Sequence, residues 1–221
     1  MAHESGQGGD GAAHAHGGAV LHDGTPLARR TSPEALDLLA RRRSLPLRSL
    51  VAPGPTAAEL EDLLTLAARV PDHGRLVPWR FIVLEGEARG AAGARLDALY
   101  ARQNPGLAPA KATMWRDYLM RAPVTVVLVS RPDPAAKVPV FNQVLSAGAA
   151  GMALVSAAAA LGYGAQWLLK WPGRDPEAAA LLGVGEAEQV AGFIHLGSPA
   201  EIPADRPRPR LADIVTRWAP E

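Results

Sequence analysis

The chain has 221 residues, of which 20% are charged, and a formal net charge of +1 at pH 7. A nearly neutral protein has no strong field to attract nucleic acid or an anionic membrane, so we expect neither as a partner. The lack of cysteine excludes disulfides, thiolate nucleophiles and cysteine-ligated metals, and it fits a cytoplasmic address. The first residues show no basic segment followed by an apolar one, so no secretory signal is predicted.

Residues 1–30 consist mainly of Gly, Ala, His and Asp and carry few large apolar side chains. They bury too little surface to offset the entropy lost on ordering, so we predict a disordered tail followed by a single folded domain over residues 31–221. His14 and His16 in this tail make an incomplete metal site. We therefore expect no bound metal.

Two capping boxes mark the first two predicted helices. Thr31 and Glu34 predict the start of a helix that ends in the basic run 41–44, and Thr56 and Glu59 predict the start of a second helix. Leucines and alanines at i, i+3, i+4 and i+7 give the second helix an apolar stripe. The second helix should therefore face the core.

The loop after the second helix is the polar stretch around which we expect a site. Pro71 prevents the helix from continuing past about Arg69, and a second proline precedes an apolar strand over Arg80–Glu85. A polar loop fixed at both ends is a common place for a site, and this one carries His73. A plain connection between helix and strand is the alternative. We interpret Trp79 as a core residue.

The remaining elements alternate between helices and strands. One stretch, residues 138–169, has no charge and is long enough for a membrane span, but its Ala, Gly and Ser content gives a weak transfer energy, so we predict a buried helix. Strands separated by helices indicate an α+β protein with one sheet and helices packed around it. The predicted elements are a helix over 87–103, a short helix around Trp115, a strand over Val124–Ser130, the long helix Val140–Leu161, a strand over Ala165–Lys170, a short helix from Asp175 to about Gly183, and a strand over Val190–Leu196.

The sequence contains no motif of the common hydrolases: no G-x-S-x-G, no H-E-x-x-H and no phosphate-binding P-loop. What remains is a set of arginines, a loop with His73 and a Gly-x-Gly turn, which are parts that suit a phosphorylated planar cofactor. Arg42 and Arg43 lie at a helix C-terminus, whose dipole repels phosphate, so their side chains would have to bind it. The alternative is that they form the solvated end of the helix.

The order of these motifs strongly resembles the nitroreductase family, over about Pro33 to Pro199, and is most similar to its compact NAD(P)H nitroreductase subgroup. Several weak motifs in one order are more specific than any one of them alone. The motifs are L-L-A-R-R-R-S at 38–44, R-V-P-D-H at 69–73 with P-W-R-F at 78–81, L-G-Y-G-A-Q-W at 161–167, and G-F-I-H-L-G-S-P at 192–199.

The resemblance implies an FMN enzyme with a central, mostly antiparallel sheet flanked by helices, assembled as an intertwined homodimer with two flavins at the subunit interface. Such an enzyme takes a hydride from NAD(P)H and reduces nitroaromatic, quinone-like or other electron-poor small molecules in a ping-pong reaction through flavin N5. Since the flavin carries the chemistry, no residue of the chain is expected to be catalytic. Two alternatives remain open: a flavin-binding or regulatory module without turnover, and a specialised flavin oxidase or dehalogenase.

The resemblance also assigns cofactor-binding residues by matched position. The basic run would contact the phosphate and ribityl end, and the central loop would contact the flavin. The Gly-x-Gly turn and the residues after it would lay backbone against the flavin, and two C-terminal arginines would point toward the phosphate. In that order the residues are Arg42, Arg43 and Ser44; Arg69 and His73; Gly162, Gly164, Trp167, Leu168 and Leu169; and Arg208 and Arg210. For His73, hydrogen bonding within its own loop is the alternative.

Two apolar segments predict that the chain pairs with a second copy. The helix Val140–Leu161 is too apolar to face water along its whole length, so part of it should be covered by another subunit. Leu211, Ile214, Val215 and Trp218 also need burial. The resemblance implies an extended arm that crosses to the partner, whereas the spacing of these residues predicts one helical stripe. Both conformations stay open.

Overall fold

A five-stranded antiparallel sheet organises residues 31–220, the part of the chain that this computed structural model describes. The predicted disordered tail, residues 1–30, lies outside the described residues. The strands are β1 (Leu50–Val51), β2 (Trp79–Glu85), β3 (Val124–Ser130), β4 (Gly164–Leu168) and β5 (Gln189–Pro199). The order is β1-β5-β3-β2, with β4 also paired to β5. Every pairing is antiparallel, which confirms the predicted sheet.

Helices cover both faces of this sheet. The helices of residues 31–220 are α1 (Pro33–Arg41), α2 (Ala57–Ala67), α3 (Gly86–Gln103), α4 (Met114–Met120), α5 (Val140–Ala160), α6 (Pro176–Leu181) and α7 (Leu211–Ile214), and those that pack on the sheet are α2 to α6. One core joins α2 and α5 to the sheet, through Leu63 and Leu154, and includes Trp79, a predicted core residue. A second core joins α3, α4 and α6, through residues such as Leu96 and Leu119. The predicted α+β architecture is confirmed.

Strand β3 buries apolar side chains on both of its faces. Val126 and Leu128 enter the core on the α5 side, whereas Val127 and Val129 enter the core on the α3 side. All four are fully buried, and the alternation follows from the two-residue period of a strand. The prediction that this apolar run is a strand buried on both faces is therefore confirmed.

Small residues on α5 allow the helix to lie close to the sheet. A Cβ atom on Gly151 would stand 2.4 Å from Cη2 of Trp167 and 2.8 Å from Cδ2 of Leu128, far inside van der Waals contact. By length and composition α5 could also cross a membrane, but its Ala150 and Leu154 are buried in the core between the sheet and α2. One face of α5 is therefore buried in the core, as predicted, and Gly151 allows that face to lie close to the sheet.

The start of α1 differs from the predicted one. Ser32, not Thr31, caps the helix, since its Oγ accepts a hydrogen bond from the Ala35 N–H at 3.2 Å. Pro33 follows Ser32 directly, and a residue before proline is held in the extended conformation that an N-cap requires. The predicted capping box at Thr31 and Glu34 is therefore wrong.

The second predicted capping box is present and has an additional partner. Thr56 Oγ1 accepts from the Glu59 N–H at 3.3 Å, and the Glu59 carboxylate accepts from the Thr56 N–H at 2.8 Å. The same carboxylate accepts from the Tyr163 hydroxyl at 2.9 Å. Burial and the Glu59 carboxylate raise the pKa of Tyr163 to about 12, which keeps the phenol a donor at neutral pH. The start of α2 is thus tied to the turn between α5 and β4.

Strand β5 is longer than the predicted Val190–Leu196. It continues to Pro199 because its end pairs with β1, a two-residue strand that the sequence does not predict. Strand β4 ends at Leu168 rather than at the predicted Lys170. Pairings at the edges of a sheet depend on tertiary neighbours more than on local propensity, so these bounds are hard to predict.

Only one helical turn forms in residues 201–220, which we term the C-terminal segment. Helix α7 ends at Ile214, and Val215 is extended, so the predicted helical stripe does not continue to Trp218. Leu211, Ile214 and Trp218 are exposed within the protomer. Their predicted burial would have to come from another chain.

His195 is a fully buried histidine on β5. Its Nδ1 lies 2.9 Å from Oγ1 of Thr125 on β3, and the Tyr118 ring packs edge-on against it at a centroid distance of 4.8 Å. Burial lowers the pKa of His195 to about 4, because an imidazolium would lose its hydration there. His195 is therefore neutral at pH 7.

We expect the free energy of unfolding to fall as the pH drops below about 6.5, the ordinary pKa of histidine in an unfolded chain. Between about pH 6 and pH 5 the unfolded state binds a proton at His195 that the folded state does not. This difference lowers the free energy of unfolding by up to about 1.4 kcal/mol for each pH unit. Urea denaturation of the wild type and of the His195→Gln variant measures this effect, since glutamine does not titrate. Parallel pH dependences for the two proteins would contradict it.

Candidate functional site

A group of arginines lies where the end of α1 meets the C-terminal segment. Helix α1 ends at Arg41, and the backbone of Arg42 leaves the helix with φ −55° and ψ 130°. This turn brings the basic run against two arginines of the C-terminal segment. Five residues line the resulting cavity of about 30 Å³, and we term them the arginine cluster: Arg42, Arg43, Ser44, Arg206 and Arg208. Four of these five are sequence-predicted site residues.

The arginine cluster concentrates positive charge. Burial lowers the pKa of Arg42, and the nearby Arg208 and Arg206 guanidinium groups lower it further. Asp205 faces the cluster, since its carboxylate accepts from Arg208 at 2.8 Å and is attracted by Arg43. One carboxylate does not balance four guanidinium groups. The cluster therefore favours an anion, and guanidinium forks with a serine hydroxyl are donors suited to phosphate.

The segment after the basic run is hydrogen-bonded to the start of β4, directly after the glycine turn that follows α5. The Leu45 N–H donates to the Ala165 carbonyl at 3.0 Å. A Cβ atom on Gly164 would stand 2.4 Å from Cδ1 of Leu45, so glycine lets the two segments touch. Gly162 adopts φ +82°, a conformation that favours glycine. The structure thus places the arginine cluster and the Gly-x-Gly turn beside each other.

The three side chains after this turn take separate positions. The Trp167 indole donates to the Ala191 carbonyl at 3.1 Å, and its ring packs against Gly192. Leu168 packs into the core on the other face of the sheet. Leu169 is partly exposed and lines a different cavity, next to α6. To a ligand beside the arginine cluster, this segment therefore offers backbone groups rather than side chains.

The loop that carries His73 is held in shape by a carboxylate. Asp72 accepts hydrogen bonds from the Leu76 and Val77 N–H groups at 3.1 and 2.9 Å. Arg75 and Val77 have positive φ values of 53° and 48°. A positive φ is uncommon for any residue other than glycine and rare for a β-branched one such as valine, so this backbone needs support from its surroundings. The loop presents His73 as an exposed side chain. Asp72 was not among the predicted site residues, although an aspartate side chain commonly accepts hydrogen bonds from the backbone of a turn.

Arg69 and His73 lie outside the arginine cluster. His73 lines a groove of about 430 Å³ along α5, with Asn142 and Ser146, and Ser146 donates to the Pro71 carbonyl. Arg69 lines another groove, of about 900 Å³, between α2 and β2. Within one protomer, the structure does not bring these two predicted residues into the cavity of the cluster.

Arg210 also lies outside the cluster, whereas Arg206 lies inside it. Arg210 is the N-cap of α7, and its guanidinium pairs with Asp213 at 2.8 Å. The sequence R-P-R-P-R at 206–210 places arginines at every second position, which an extended chain directs to one side. Helix α7 begins directly after Arg210 and ends this alternation. This spacing identifies Arg206, which was not among the predicted site residues, as a partner of Arg208 in the cluster.

Comparisons with known proteins agree with this architecture. The family model described as "Nitroreductase family" matches residues 39–198. The Escherichia coli protein named "Putative NAD(P)H nitroreductase YdjA" is 36% identical over 167 residues, which cover 75% of this chain and 88% of that protein. A solved nitroreductase-like family protein from Bacillus cereus has a TM-score of 0.73 at 19% identity and covers 86% of this chain and 99% of its own.

A solved nitroreductase with bound FMN from Bacteroides fragilis has a TM-score of 0.61 at 21% identity and covers 85% of this chain and all of its own. At these identities the two solved structures show a shared fold. The family match runs from the last turn of α1 to Ser198 in β5, and the Escherichia coli relative is similar over nearly its full length. The chain therefore belongs to the nitroreductase family of oxidoreductases.

Proposed function

We propose that the protein is an FMN-dependent oxidoreductase that uses NAD(P)H to reduce nitroaromatic, quinone-like or other electron-poor small molecules. The observation that carries this proposal is the arginine cluster beside the Gly-x-Gly turn, because it joins donors for a phosphate to an open stretch of backbone. Two of the similar proteins support it, since one is named as an NAD(P)H nitroreductase and the other holds FMN.

The two parts of this site fit the two ends of FMN. The arginine cluster would hold the phosphate through charge-assisted hydrogen bonds. The turn and the backbone as far as Trp167 would lie against the flavin. A Cβ atom at Gly162 would meet nothing within 4 Å, so the turn faces open space. The cofactor's two ends would thus be held by side chains and by backbone respectively.

The chain supplies binding and orientation in this proposal. When bound, FMN would accept a hydride from the reduced nicotinamide and pass reducing equivalents to the acceptor. The exposed His73 and Arg69 line grooves outside the cluster, and we assign them to contacts with the flavin where two subunits meet. The arginine cluster would fix the phosphate end and thereby set the position of the ring.

The proposal includes a homodimer with the flavin at its interface. Apolar side chains are exposed along α5, Phe141 to 71% and Leu145 to 57%, and in the C-terminal segment, where Trp218 is 85% exposed. Apolar surface of this kind favours association, and a twofold interface is the simplest closed arrangement. Leu145 also lines the groove of His73. The apolar face of α5 and a predicted site residue therefore belong to one surface.

Turnover tests the proposed function. Protein loaded with FMN should oxidise NADPH or NADH under anaerobic conditions when a nitroaromatic or quinone acceptor is present, with acceptor consumed in step. Double-reciprocal plots at several acceptor concentrations should be parallel, as for a ping-pong reaction. Bound FMN without oxidation of either nicotinamide, whatever the acceptor, would contradict the proposal and favour a flavin-binding module without turnover.

A further inference from the structure

The C-terminal segment has few polar contacts with residues 31–200. The Ala200 N–H donates to the Ser49 carbonyl at 2.8 Å, where β5 has just ended. Beyond that point, within the described chain, each hydrogen bond and ion pair of the segment stays inside it, as for Asp205 with Arg208 and for Arg210 with Asp213. Among the described residues, the arginine cluster is therefore the place where polar groups of the C-terminal segment approach residues 31–200.

The arginine cluster brings together groups of like charge from two parts of the chain. Arg42 and Arg43 come from the chain after α1, and Arg206 and Arg208 come from the C-terminal segment. Asp205 attracts Arg43, but its carboxylate is already paired with Arg208 at 2.8 Å. Guanidinium groups that share a cavity repel one another, and an anion placed between them replaces repulsion by attraction. An anion between the four guanidinium groups would therefore stabilise the contact.

We propose that the phosphate group of the cofactor closes the arginine cluster as a clamp, so that binding of a phosphate monoester docks the C-terminal segment onto residues 31–200. This inference rests on the proposed function, since it takes FMN as the ligand. The phosphate, not the flavin ring, is the part that bridges Arg42 and Arg43 to Arg206 and Arg208. By reciprocity, the segment strengthens phosphate binding by the same factor with which the phosphate stabilises docking.

Docking would also fix the apolar residues that follow the cluster. Leu211 comes three positions after Arg208, and Ile214 and Trp218 lie further along the same segment. Their position relative to a second subunit would then depend on cofactor occupancy. Riboflavin lacks the phosphate, so it would fill the flavin part of the site and leave the segment undocked. A comparison of FMN with riboflavin therefore separates the clamp from the ring contacts.

Hydrogen–deuterium exchange of the amides in residues 211–218 of the full-length protein tests the clamp. Saturating FMN is expected to slow exchange there by at least about tenfold, whereas saturating riboflavin should leave it within about twofold of the ligand-free rate. Inorganic pyrophosphate, a phosphate anion without a flavin, should slow exchange as well. Equal slowing by FMN and riboflavin would overturn the proposal, as would bound FMN that leaves exchange unchanged.

Two arginine variants sharpen this test. Arg208→Gln removes one side of the clamp, so FMN should no longer slow exchange in residues 211–218, while riboflavin should bind as before. Arg210→Gln is the matched control, because Arg210 lies in the same run but pairs with Asp213 outside the cavity. FMN should still slow exchange in that variant. Full slowing by FMN in Arg208→Gln would overturn the clamp.

The clamp and the proposed function can fail separately. If the protein quenches the fluorescence of neither FMN nor riboflavin in a titration, the proposed function fails. Pyrophosphate still tests the clamp in that case. Pyrophosphate that slows exchange in the wild type but not in Arg208→Gln would support an anion-closed clamp for another phosphate ligand. Pyrophosphate that changes neither protein would overturn it.

Discussion

Replacing Arg42 by alanine is expected to weaken FMN binding by about 1.5 to 3 kcal/mol, roughly 10- to 150-fold, and to leave riboflavin binding nearly unchanged. Arg42 is half-buried and lines the cavity of the arginine cluster. Its guanidinium can therefore make a charge-assisted hydrogen bond to a phosphate that riboflavin lacks. Quenching of flavin fluorescence, titrated with each ligand in turn, measures both dissociation constants.

Arg41→Ala is the matched control for this substitution. Arg41 lies one residue earlier, is exposed, and pairs with Asp37 at 2.5 Å instead of lining the cavity. Its loss should change FMN affinity by less than about threefold, as for other surface ion pairs. Raising the ionic strength should also weaken FMN in the wild type, because a partly exposed ion pair is screened. Equal weakening of FMN and riboflavin by Arg42→Ala would show that Arg42 is only a solvated helix end.

Removing the residues after Pro209 is expected to loosen the proposed dimer and to release FMN with it. The deletion takes away α7 and the exposed Leu211, Ile214 and Trp218, whereas the whole arginine cluster remains. Burial of one large apolar side chain contributes about 1.5 to 3 kcal/mol, so the loss of three should raise the dimer dissociation constant by at least about a hundredfold. Light scattering and flavin content, measured on the same sample, check both effects.

A shorter truncation, after Trp218, keeps these three apolar residues and should leave assembly and flavin content unchanged. If the chain cut after Pro209 stays dimeric and keeps its FMN, the residues after Pro209 do not hold the dimer. A full-length protein that is monomeric yet loaded with flavin would contradict the interfacial site itself.

Much of the fold follows from signals that are local in the sequence. Thr56 and Glu59 satisfy each other's backbone groups with few demands on the rest of the chain, so the start of α2 can be predicted. Val124–Ser130 is almost wholly apolar, and a strand buried on both faces is the structure that such a short run favours. The uncharged sequence of α5 identifies a core helix for a similar reason.

The errors arise where two local signals compete or where pairing is long-range. Thr31 and Ser32 are both good N-cap residues, and the proline after Ser32 decides between them by holding its backbone extended. Strand β1 has two residues and forms because the far end of β5 is available to it. Neither its length nor its composition distinguishes it from a loop.

The candidate site could be predicted as a set of motifs but not as an assembly. The basic run and the Gly-x-Gly turn are visible in the sequence, yet their contact depends on the bond between Leu45 and Ala165, which are far apart in the chain. Arg206 and Arg210 belong to the same run, and the start of α7 decides which of them reaches the cluster. Such differences depend on where the chain turns, which composition does not specify.

Titration of the purified protein with FMN tests the central claim most directly. We predict saturable quenching of flavin fluorescence, with FMN bound in preference to FAD and at least about tenfold more tightly than riboflavin, because the arginine cluster would recognise a terminal phosphate. A colourless protein that shows no quenching at any FMN concentration would contradict it.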